Sequence, residues 1–89
     1  WRKNAAHSNL MAQLLRDKLA AIPQIKITQP VQSNFVFVIL PPEIIPVLQE
    51  RYYFYLWNEP LNEVRLLCSW DTTEEMLDEF VRDLKSLIW

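Results

Sequence analysis

Few side chains in this 89-residue sequence have the type and setting to do chemistry, and Arg65 stands out among them. It interrupts an otherwise apolar stretch running from Glu63 to Cys68. A period of two puts Val64, Leu66 and Cys68 on one face of a strand and Glu63, Arg65 and Leu67 on the other. A guanidinium stays charged at any working pH, so the face that carries it must offer water or an anion. Its planar fork matches a carboxylate through two parallel hydrogen bonds. The residues alone leave two readings open: a surface arginine paired with Glu63 or a cross-strand acid, or an anion-binding group.

The other candidates have plainer explanations. Cys68 is the single cysteine and shares the apolar strand face, which predicts a buried small hydrophobe rather than a reactive thiol. His7 is the single histidine and falls on a helix with no acid or thiol spaced to orient it. One imidazole and one distant thiol do not make a metal site. Glu74, Glu75, Asp78 and Glu79 crowd the first turns of a helix, where carboxylates complement the dipole and face water. Lys3, Lys18, Lys26 and Lys85 read as helix-surface or strand-surface residues. No catalytic or metal-ligating residue is assigned.

Composition removes further classes. Glycine is absent, although average usage near 7% would place about six in this length. A Gly-rich phosphate loop, a dinucleotide fingerprint and a nucleophile elbow are thereby excluded, since each needs backbone that only glycine permits. A net charge of -2 argues against a nucleic-acid partner, and 51% hydrophobic residues describe a globular chain. The longest apolar run, near Phe35 to Pro42, is far below the roughly 20 residues that span a bilayer, so no membrane partner is expected. The N-terminus shows no charged-then-apolar leader, and the lone cysteine fits a reducing compartment; the expectation is cytoplasmic. A chain this short buries only about 60 to 65% of its unfolded surface and has little room for a deep pocket of its own. It opens on Trp1 without a methionine, which suggests a piece of something longer.

The elements that must position Arg65 are legible from periodicity. From Ser8 to Ile22, Leu10, Met11, Leu14, Leu15, Lys18, Leu19 and Ile22 recur at helical spacing before Pro23, and nothing breaks an extension back toward Trp1. Gln24 to Thr28 alternates as a short edge strand. Phe35 to Leu40 is apolar on both faces, so both must be covered, one by helices of this chain and the other by a further layer or another chain. After Pro41-Pro42, Glu43 to Arg51 reads as a short helix with its cap at Glu43 and Pro46 at the third position. Tyr52 to Trp57 is an aromatic strand suited to core or interface packing rather than base stacking, and Asn58 to Asn62 turns it into the Arg65 strand. Asp71, followed by Thr72-Thr73-Glu74, has the spacing of a helix cap. The helix it opens carries Met76, Leu77, Phe80, Val81, Leu84, Leu87 and Ile88 in one stripe. The order is helix, strand, strand, helix, strand, strand, helix.

The run Val64-Arg65-Leu66-Leu67-Cys68-Ser69-Trp70-Asp71-Thr72-Thr73-Glu74-Glu75 resembles the C-terminal part of low-specificity threonine aldolases, members of the fold-type-I family of pyridoxal-phosphate enzymes. Asn4 to Leu19, Pro30 to Phe37 and Tyr53 to Trp57 are similar to the helix, first long strand and hairpin strand of the same small domain. The resemblance implies an α+β fold: a short antiparallel sheet of three to four strands packed against two long helices and one short helix. It implies that residues 1–89 are a single small C-terminal domain, a fragment whose large domain is absent. The parent activity would be cleavage of L-threonine or L-allo-threonine to glycine and acetaldehyde. The arginine that binds the substrate's carboxylate matches Arg65, while pyridoxal 5'-phosphate, its lysine and its phosphate loop belong to the large domain, which would be this chain's partner. The isolated fragment is expected to be inactive, and its uncovered apolar sheet face predicts self-association, a homo-oligomer. Two other readings stay open: the small domain of another fold-type-I lyase or aminotransferase, and a stand-alone α+β interaction or ligand-sensing module.

Overall fold

In the computed structural model, residues 2–31 and 33–88 are described, with backbone alone for residues 2–5. Trp1, Gln32 and the side chain of Lys3, all used in the sequence reading, lie outside the described residues. The elements are α1 (Arg2–Ala20), β1 (Lys26–Ile27), β2 (Phe35–Ile39), α2 (Ile45–Gln49), β3 (Tyr55–Asn58), β4 (Glu63–Leu67) and α3 (Glu74–Ile88). The strands form one four-stranded sheet in the order β1-β2-β4-β3, with every neighbouring pair antiparallel. The fold is therefore α+β, as the sequence predicts, with the edge strand β1 and the β3–β4 hairpin where they were expected.

Two five-residue strands, β2 and β4, make the centre of the sheet. Their alternation sends Val36, Val38 and Val64 into a core where none retains measurable exposure, joined by Leu66 and Cys68. Met11, Leu15 and Leu19 of α1 and Leu77, Phe80, Val81 and Leu84 of α3 complete that core. Burying each such side chain is worth roughly 1.5 to 3 kcal/mol, so this face is the main source of stability. Three residues placed on the helical stripes by periodicity, Leu10, Met76 and Leu87, are exposed instead. They sit at the margins of stripes wider than the sheet below them. Lys18 also departs from the apolar stripe: its ammonium lies 3.2 Å from Glu74 and 2.7 Å from Asp78, tying α1 to the first turns of α3.

Three boundaries differ from the sequence reading, each because a local hydrogen bond wins. The cap of α3 is Thr73 and not Asp71: Thr73 Oγ1 accepts the Met76 N–H at 3.2 Å. Thr72 is pinned in the preceding turn, its Oγ1 accepting the Ser69 N–H at 2.8 Å and its own N–H donating to the Ser69 carbonyl, which leaves Asp71 exposed. The aromatic strand starts at Tyr55 rather than Tyr52, because the Tyr52 N–H still donates to the Leu48 carbonyl at 2.8 Å and its phenol donates to Asp83 at 2.6 Å. Phe54 turns into the core. Before α2, Pro42–Ile44 winds a 3₁₀ turn, so Pro46 occupies the second position of α2 rather than the third of a longer helix. Either place spares the missing N–H.

Candidate functional site

Among the described residues no helix covers the second face of the sheet. Register places Phe35 opposite Leu67, Phe37 opposite Arg65 and Ile39 opposite Glu63, while Tyr55 faces Arg65 from the other side. Phe35, Phe37 and Ile39 are half-buried, whereas Tyr55, Trp57 and Leu67 are exposed. A register irregularity between Leu56 and Asn58, and Asn62 in the left-handed region at φ 56°, close the hairpin and leave Tyr55 and Trp57 on the Arg65 side.

Arg65 sits in a box of rings. Its Cζ lies 4.9 Å from the Phe35 ring centroid, 5.0 Å from Tyr55 and 5.2 Å from Trp57. Phe37 braces the box from behind, edge-on to Trp57 at 5.5 Å and tilted against Phe35 at 6.4 Å. Tyr53 extends the patch outward and shares a 2.9 Å hydroxyl–hydroxyl hydrogen bond with Tyr55.

No acid among the described residues pairs with Arg65. Glu63, the neighbour expected as a partner, is buried and accepts a hydrogen bond from Thr28 Oγ1, beyond the end of the edge strand. Nor is it a wet position as the alternation implied: it is buried at the start of β4, opposite Ile39 on one side and Asn58 on the other. The Nε of Arg65 is buried with no hydrogen-bond partner among the described residues. Magnitudes say what this arrangement favours. A cation–ring contact returns about 0.5 to 2 kcal/mol, while an unpartnered buried donor costs roughly 1 to 3 kcal/mol. The rings hold the cation by their faces, and no acid among the described residues takes its terminal N–H groups, which leaves them to an incoming carboxylate.

The remaining candidates are accounted for structurally. His7 is half-buried on α1, and its Nε2 lies 2.6 Å from the Thr72 carbonyl oxygen; a carbonyl only accepts, so Nε2 carries the proton. Cys68 is buried and lies at an apolar cleft of about 260 Å³ whose lining includes Leu15, Phe54 and Leu77. Burial pushes its thiol up to about 11, which keeps it protonated and unreactive at neutral pH. That cleft lies on the helix-covered side, and Arg65 does not line it. Among the described residues no cluster of His, Cys, Asp and Glu could hold a metal ion.

Among the described residues no lysine fits a covalent cofactor anchor, which must reach a neutral amine. Hydrogen bonds from Lys18 to Asp78 and Glu74 raise its pKa and hold it charged. Lys26 is exposed on the edge strand, and Lys85 lies in the last turn of α3, where it complements the helix dipole. With no glycine to cradle a phosphate, the residues present do not fit pyridoxal phosphate.

Sequence reasoning singled out Arg65 as a candidate but missed the rings around it. The signal was partial: alternation puts Tyr55 and Trp57 on one face of their strand, and the register that sets Tyr55 opposite Arg65 makes it the guanidinium's face. Phe35 could be added only once the β2–β4 register was known.

A four-stranded antiparallel sheet with helices on one face and an unpaired arginine among aromatics on the other defines a small α+β domain with one side left for another layer. No protein-family profile matches the chain. Two curated proteins do: the low-specificity L-threonine aldolase of Pseudomonas sp. strain NCIMB 10558, 32% identical over 99% of this chain, and that of Pseudomonas aeruginosa, 33% identical over 96%. The chain spans about a quarter of the length of each, 25%. Among solved structures, the threonine aldolase of Leishmania major superposes at a TM-score of 0.81 with 36% identity, over 94% of this chain and 25% of that one. A cystine C-S lyase solved with cysteine persulfide superposes at 0.74 with 19% identity, over 90% of this chain and 23% of its own, which is a likeness of fold. The chain is thus similar over nearly its whole length to low-specificity L-threonine aldolases, and spans about a quarter of theirs.

Proposed function

We propose that the chain is the small C-terminal domain of a pyridoxal-phosphate-dependent aldolase that cleaves L-threonine or L-allo-threonine to glycine and acetaldehyde, and that Arg65 binds the substrate's carboxylate. The observation that carries this is the state of Arg65: charged, among rings, with a buried donor unpartnered, on the sheet face that the chain's own helices do not cover. The cofactor and its lysine lie in a large domain that this chain does not include, and that domain supplies the missing layer over Phe35, Phe37 and Trp57. Arg65 contributes orientation. Two N–H bonds to the carboxylate fix the amino acid's rotation, so that the bond to be broken is presented in one direction rather than sampled.

Losing a bidentate charge-assisted contact costs about 2 to 4 kcal/mol of transition-state binding. In the full-length enzyme, Arg65→Ala is expected to lower kcat/KM for threonine at least about a hundredfold. A loss smaller than about threefold removes Arg65 from the substrate site.

A further inference from the structure

We propose that Phe35, Tyr55 and Trp57 are positioning residues for the carboxylate receptor: they hold the Arg65 guanidinium ready without occupying the N–H groups that a carboxylate takes. The inference rests on the reading of Arg65 given above and adds a division of labour to it.

A receptor arginine poses a physical problem. If nothing holds the side chain, its rotamer freedom, worth up to about 2 kcal/mol, is lost each time a ligand binds. If an internal carboxylate holds it, that carboxylate competes for the same N–H groups, and the ligand must displace a bonded partner. Rings avoid both. Three of them within 4.9 to 5.2 Å of Cζ attract the cation through their faces, fix its position and shed its water, yet none can take the bidentate place of a carboxylate. Glu63, two residues away on the same strand face, is engaged by Thr28 and so does not compete for the guanidinium.

The rings stand outside this domain's own core: Tyr55 and Trp57 are 47% and 55% exposed within it, yet both are turned onto the guanidinium. Strand alternation gives them this face together, and the register sets Tyr55 directly opposite Arg65.

The test uses the full-length enzyme and measures glycine binding by calorimetry, so that no turnover is needed. Tyr55→Leu with Trp57→Leu should weaken glycine about tenfold or more, while the ring-keeping pair Tyr55→Phe with Trp57→Phe should stay within about threefold of wild type. Tyr55→Glu, which sets an acid opposite Arg65, should weaken glycine further than Tyr55→Leu does. Glycinamide, which lacks the anion, should bind all variants alike. The proposal is overturned if the double leucine variant binds glycine within about twofold of wild type, if the phenylalanine pair loses as much as the leucine pair, or if Tyr55→Glu is no worse than Tyr55→Leu. Arg65→Ala separates the two levels. If it leaves glycine affinity intact, the carboxylate reading fails and takes this one with it; if it abolishes binding while the ring variants do not, only the role of the rings is lost.

Discussion

The two faces of one sheet are built from similar residues and do different things. On the covered face Val36, Val38, Val64 and Leu66 vanish beneath α1 and α3, and the core they join is mostly aliphatic, with Phe54, Phe80 and the half-buried Tyr52 as its aromatics. On the open face the sheet presents Phe35, Phe37, Tyr55, Trp57 and Leu67 around a single cation. Aliphatic packing stabilises by excluding water and is indifferent to charge. Aromatic faces exclude water and also accept a cation, so an arginine can live among them without an acid. Hydrophobicity alone does not tell the faces apart; the type of apolar residue does.

The comparison breaks most visibly at the core. Leu84, with no exposure, should cost about 2 to 5 kcal/mol when cut to alanine, read as a shift of the urea midpoint, whereas Trp57→Ala on the open face should cost about 1 kcal/mol or less. If the two substitutions destabilise equally, the open face is part of the folding core and its availability to a ligand is in doubt.

A pH experiment sharpens the view of the covered side, where Tyr52 ties the end of α2 to α3. The hydrogen bond from Tyr52, with help from Arg51 and against some desolvation, holds the Asp83 carboxyl below its usual range. A depressed carboxylate stabilises above its unfolded pKa and loses that contribution as pH falls through the folded value, so stability should decline on the acid side of about pH 4. Burial first, and the bond to Asp83 second, push the Tyr52 phenol up to about 12. A raised phenol stabilises fully below its unfolded value near 10 and loses this as pH rises toward about 12. Tyr52→Phe should flatten both limbs in pH-dependent unfolding; unchanged limbs would mean the pair is not formed in solution.

The smallest effect concerns how α3 begins. Thr73→Ala removes the oxygen that accepts the Met76 N–H and should cost about 0.5 to 2 kcal/mol, while Asp71→Ala should be near neutral. The reverse ranking in thermal unfolding would restore Asp71 as the cap.

Much of the fold was legible because it rests on local periodicity. The stripe Leu77, Phe80, Val81, Leu84 is a helix in any setting, and Val64, Leu66, Cys68 share a face in any strand. The boundaries were less legible, because several local hydrogen bonds compete for them, as Thr73 and Asp71 do for the start of α3, and at Tyr52 a bond to Asp83 across 31 positions adds to the local one. Glu63 shows the same limit at the site. Its spacing from Arg65 suggested an ion pair, and a threonine 35 residues away took it instead.

What the sequence determined by itself is the alphabet of this domain: no glycine, an arginine alternating out of an apolar strand, aromatics on both sides of it in the chain, and helical stripes of matching length. Periodicity encodes such features within a few residues, so they survive in any arrangement that buries the stripes. Only the tertiary structure decided who meets Arg65. Strand register brings Phe35 from one neighbour and Tyr55 and Trp57 from the other, and draws Glu63 toward Thr28, because contacts across a sheet depend on pairing between strands far apart in the chain.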